Sequence, residues 1–124
     1  MKTIKLSDLL NIGPVFQGDL MLSADKLPVD AKQLDTDIIA HSETEHNHVA
    51  KYAQVLGGLD PMVMFLKPAP AAKKIDGVPY IDIVHERSFD THEPIRLLFD
   101  IDTVVPRVDR QEEFTPDGWR VVAD

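Results

Sequence analysis

Eight consecutive residues, His41-Ser42-Glu43-Thr44-Glu45-His46-Asn47-His48, hold three of the chain's five histidines and two carboxylates. Residues two apart on an extended strand share a face, so His46 and His48 are expected to project their imidazoles to one side. Such an H-x-H pair suits Zn, Fe, Mn or Ni, because neutral imidazole is a good ligand for each of these divalent ions. A metal needs further ligands. His92, beside Glu93 and Pro94, is the leading third ligand, with His41 and Glu43 next and Glu45 and His85 in reserve. Ser, Glu, Thr, Asn and His are also the residues of exposed loops, and a solvated turn between two strands explains the same eight residues. Both readings stay open at this level.

Other chemistry is weaker. Asp35 with Asp37, and Asp100 with Asp102, are spaced to share a strand face. Each pair reads as the solvated side of a half-buried strand, or as a hard-cation site. His85-Glu86-Arg87 are consecutive, and consecutive strand residues face opposite ways. No Gly-rich phosphate loop, G-x-S-x-G elbow or H-E-x-x-H helix is present, and no catalytic residue is assigned.

The elements that must position these residues are short. Nine prolines punctuate the 124 residues and leave few windows for a long helix. Between them lie runs rich in Val, Ile, Leu and Phe. The pattern predicts one all-β domain over residues 1–124, a small barrel or sandwich of about eight short strands with a jelly-roll or cupin-like form among the options. Phe16 to Leu22 reads as a strand with a bulge or bend at Gly18-Asp19. Thr36 to His41, His48 to Leu56 and Met62 to Leu66 read as three more. Asp76-Gly77 is a favoured two-residue hairpin turn. In the strand that follows, Ile81 and Ile83 should face one way and Asp82 and Val84 the other, and Phe99 to Asp102 repeats the alternation. Pro116-Asp117-Gly118 signals a turn before a last strand from Trp119. A turn or two of helix is expected near Ser7-Asp8-Leu9-Leu10, with Ser7 as N-cap.

Composition narrows the partners. A formal charge of −8 disfavours broad nucleic-acid or anionic-membrane contact, and no run approaches a membrane span of roughly 18 apolar residues. The lysines and Asp8 near the N-terminus do not read as a signal peptide, so the cytoplasm, or a virus particle assembled in a bacterial cytoplasm, is the expected location. Without cysteine, any metal must be held by His, Asp and Glu.

Several segments together resemble a group of small, mostly uncharacterised all-β proteins of bacteria and their phages. They are QGDLMLSADKLP at 17–28, IIAHSETEHNHV at 38–49, YIDIVHERSFDTHEPIRL at 80–97, and VDRQEEF at 108–114 before the terminal VVAD. The group's middle motif resembles A-H-G-E followed by T-G-H-x-H, and its later one H-E-E-H-x-P-I. The resemblance matches His41, Glu43, His46, His48 and His92 to the group's recurring polar positions. Ser42 and Glu45 stand where the group has glycines, and only His92 of the later histidines is kept. The H-x-H also resembles the first motif of cupin barrels, with His92 in the place of the second motif's histidine. Here Tyr52 and Ala53 occupy the region of the cupin glutamate, and the Pro-x-Gly before the last histidine is missing. The resemblance implies the fold and a bacterial or phage origin. The small all-β design, the acidic balance and the lack of a complete catalytic constellation point to a non-enzymatic phage or prophage structural or accessory module that forms a homo-oligomer or particle through protein contacts. The alternative is a cupin-like metal-binding protein or metal-dependent enzyme.

Overall fold

The computed structural model describes residues 1–40, 47–58, 60–85 and 93–110, together with the strand backbones at 112–115 and 118–121. Among them are fourteen strands and one short helix. In chain order these are β1 (Lys2–Lys5), α1 (Leu6–Asn11), β2 (Val15–Gln17), β3 (Leu20–Asp25), β4 (Lys32–Leu34), β5 (Ile38–Ala40), β6 (His48–Lys51) and β7 (Ala53–Gly57). Then come β8 (Val63–Pro68), β9 (Lys74–Ile75), β10 (Val78–His85), β11 (Ile95–Leu98), β12 (Val105–Arg110), β13 (Glu112–Thr115) and β14 (Gly118–Val121). The expected all-β fold is what the chain adopts, divided into more and shorter strands than the eight anticipated.

Twelve strands form two sheets. The first runs β1-β11-β10-β6-β5, with β9 also paired to β10, and the second runs β2-β3-β12-β8-β7-β4. β13 and β14 form a hairpin of their own. Every pairing is antiparallel except β1 with β11. One apolar cluster draws on both sheets. Ile4, Ile39, Ala50, Ile81, Ile83, Ile95 and Leu97 come from the first, and Leu20, Leu22, Val55, Leu66 and Val108 from the second. Leu6 and Leu9 of α1 join them. The sheets therefore pack face to face, the sandwich solution that lets each bury its apolar face. No helix among the described residues is long and apolar enough to cross a membrane.

Backbone turns at Gly18 and Tyr52 explain two of the extra strands, and a third turn forms as expected. Gly18, at φ +57, opens a two-residue turn between Gln17 and Leu20, so the single bent strand expected over Phe16–Leu22 is a hairpin. Tyr52, at φ +65, ends β6 in the first sheet and starts β7 in the second, so the expected strand His48–Leu56 changes sheets at a corner. Asp76 and Gly77, at φ +50 and +80, make the anticipated hairpin turn between β9 and β10. The turn expected at Pro116-Asp117 lies outside the described residues, although β13 and β14 pair on either side of it.

On β10 the predicted alternation holds. Ile81 and Ile83 enter the core, and Asp82 lies on the other face, where Arg96 grips it through two nitrogens at 2.9 and 3.0 Å. That hydrogen bonding raises the Arg96 pKa, against a smaller opposing effect of burial. Phe99–Asp102 lies beyond the end of β11 at Leu98, yet the alternation continues there, with Phe99 and Ile101 packed against the core and Asp100 and Asp102 exposed. Asp35 and Asp37 sit exposed in the bend between β4 and β5, not on a strand face.

The helix forms where expected, but Ser7 is not its cap. Lys5 stands at the N-cap, and its backbone N–H donates to Asp8 Oδ2 at 3.0 Å. Ser7 lies inside the first turn and gives its N–H (3.0 Å) and its hydroxyl to Asp100, 93 residues further along. Burial opposes ionisation of Asp100, but the hydrogen bonds from the Ser7 hydroxyl and N–H outweigh it and hold the carboxyl below its ordinary 3.8. A depressed carboxylate pKa supports the fold above the ordinary value and loses that support as the pH falls through the lower, folded-state value. Asp100→Asn should therefore flatten the acid limb of stability against pH, read as urea midpoints between about pH 2 and 6.

Candidate metal centre

β6 and β10 are neighbours, and their register sets His48 directly opposite His85. Directly opposed residues on paired strands share a face, and two positions along on each strand lie the core residues Ala50 and Ile83. Both imidazoles are thus on the inner face of the first sheet. They are nearly fully buried, with ring centroids 4.4 Å apart and planes inclined at 37°.

The second sheet supplies the facing groups from the β2–β3 hairpin. Gln17, at the end of β2, is buried, and its side-chain nitrogen donates to the carbonyls of Ile83 and Glu93, each at 3.0 Å. Both amide hydrogens are then committed, which fixes the amide's orientation and turns its acceptor, Oε1, toward the histidine. It lies 3.0 Å from His48 Nδ1. His48 Nδ1 must therefore carry a hydrogen, which in the neutral imidazole puts the ring's lone pair on Nε2. Asp19, in the turn, places Oδ1 3.4 Å from that Nε2. Asp19 is buried, and its Oδ1 accepts no hydrogen bond among the described residues.

Of the residues expected to bind metal, His48 lies on the inner face of the first sheet. His41, Glu43, His46 and His92 lie outside the described residues, as does the reserve Glu45. His85 meets His48. The Glu93 side chain is exposed and pairs with the amino group of Met1 at 3.4 Å. Among the described residues, no three of His, Asp or Glu gather as a metal-holding set. Gln17 and Asp19 were not singled out as ligating or positioning residues by the sequence. Their only signal is a Gly-Asp turn, and nothing local relates it to a histidine 31 positions from Gln17. In comparisons with protein-family models, curated proteins and solved structures, the chain matches none.

Proposed function

We propose that the protein binds a divalent transition ion, of the Zn, Fe, Mn or Ni class, where its two sheets meet, with His48 Nε2 as a ligand. The observation that supports this is the Gln17 amide, which fixes the His48 ring by taking its Nδ1 hydrogen. Metal-ligating histidines characteristically donate the second ring N–H to an oxygen acceptor, which sets the tautomer and aims the ligating nitrogen. His46 and His92 are the ligands the sequence adds, with His41 and Glu43 behind them. Untagged protein purified without chelator should carry about one equivalent of such a metal, and His48→Ala should lose it. Less than about a tenth of an equivalent, unchanged in His48→Ala, would remove the reading.

A second reading, a module that makes protein contacts with further copies of itself, as in a homo-oligomer or a phage-type particle, draws on a separate observation. At the corner between α1 and β2, Leu10, Ile12 and Phe16 are 50, 84 and 58% exposed, and β2 is an edge strand of its sheet. Apolar side chains beside an open edge favour strand-to-strand association. Light scattering should then show an oligomer that the pair Ile12→Lys and Phe16→Glu dissociates. A wild-type chain that stays monomeric at high concentration argues against it.

A further inference from the structure

We infer that the end of the sandwich away from His48 holds a separate site, which takes a small apolar α-amino acid such as leucine in its zwitterionic form. It shares no residue with the histidine centre and does not depend on a metal.

β10 spans the distance between the two places. His85 meets His48 at its end, and Pro79 stands near its start, about 20 Å away at roughly 3.3 Å per residue. Beside Pro79 lies a hollow of about 270 Å³. Pro79 of the first sheet and Pro68 of the second form two of its walls, and Phe99, Ile101 and Val104 of the β11–β12 connection form another. These last three pack against the core yet stay only half-buried, so apolar surface is left to the hollow. The walls are tied down. Phe99 N–H donates to the Pro79 carbonyl at 2.9 Å, and Ala69 N–H to the Tyr52 carbonyl at 2.8 Å. Walls already fixed in place cost little ordering when a ligand enters.

Two charges define the occupant. Lys67 and Asp102 also line the hollow, and both are exposed. Among the described residues neither forms an ion pair within 4.0 Å, with the other or with any further group. Arg96 and Arg107, by contrast, are held by carboxylates. A simple carboxylic acid would answer Lys67 and face Asp102 with a like charge, and a simple amine would do the reverse. An α-amino acid with an apolar branch answers both charges and the apolar walls at once. The volume lies just under the roughly 300–1,000 Å³ of drug-sized sites, so the occupant must be small.

Calorimetric titration with leucine, 4-methylpentanoate, 3-methylbutylamine and glycine tests this. The second lacks leucine's ammonium, the third its carboxylate and the fourth its side chain. Leucine should bind, and each of the others should bind at least about fivefold more weakly. Lys67→Met should lower leucine to the affinity of the amine without weakening the amine, and Lys67→Arg should restore it. Asp102→Asn should lower leucine to the affinity of 4-methylpentanoate without weakening that acid. Both side chains are exposed, so the melting temperature should not move. Wild type that takes up no leucine at millimolar concentration overturns the assignment. So does an acid or amine that binds as tightly as leucine, or a leucine affinity unchanged in Lys67→Met and Asp102→Asn.

Discussion

Gln17→Met should lower folding stability by about 4 kcal/mol, a loss comparable with much of a small domain's total. Methionine fills nearly the same volume, so the effect isolates hydrogen bonding from packing. The substitution leaves the Ile83 and Glu93 carbonyls and the His48 Nδ1–H without their partner. Each buried polar group so stranded costs about 1–3 kcal/mol, and the partly buried Glu93 carbonyl falls at the low end. Water can repair little. The inter-sheet void lined by Gln17, Leu22, Ile83 and Val108 has a volume of about 10 Å³, at the lower limit for one water molecule, and its other walls are apolar. The urea midpoint should fall with an unchanged slope. A loss under about 1 kcal/mol would mean that the amide does not bridge the sheets as described.

Arg96→Met should destabilise the fold, seen as a lower urea midpoint, because it strands the buried Asp82 carboxylate while Arg96 itself stays part-exposed. Asp82 is only 7% exposed, and Arg96 supplies both of its close contacts. Arg96 also lies over the Tyr80 ring at 4.1 Å, whose cation–π attraction methionine forfeits. Lys51, opposite Asp82 in register, is placed to recover part of the charge balance. The double variant Arg96→Met with Asp82→Leu should regain most of the loss, because an apolar pair of similar size avoids desolvating either charge. A double-mutant cycle measures the coupling, and additive effects would refute a shared buried pair.

The sequence was most legible where the determinant was local. Proline spacing excluded long helices, Asp76-Gly77 fixed a turn through its own backbone preference, and the alternation of Ile81 and Ile83 named the inner face of β10. It was least legible where a distant partner decided. Ser7 is a sound cap by type, yet Asp100 takes its hydroxyl and shifts the cap to Lys5. Tyrosine favours strands, so nothing in His48–Leu56 announced that Tyr52 would turn into the left-handed region, where its ring packs edge-on to Tyr80 and under Lys73. At the candidate centre, H-x-H spacing singled out His46 and His48, of which only His48, at the start of β6, lies among the described residues. Gln17 and Asp19 stayed hidden because a polar residue beside a glycine turn looks the same buried or exposed. His85 stood among the reserves, and only the β6–β10 register brings it against His48.

The one parallel pairing among the described residues sets a schedule for folding. β1 adds to the sheet alongside β11, and Ser7 binds Asp100, so the first strand and helix must wait for a partner made some 90 residues later. At about 5–20 residues per second, a ribosome leaves that interval at roughly 5–20 s. Through it the β2–β3 hairpin can close and α1 can lie against β3, while β1 has no strand to join. A nascent chain halted before Ile95 should therefore hold its early segments in a loose, protease-sensitive state, and completion of β11 should lock them.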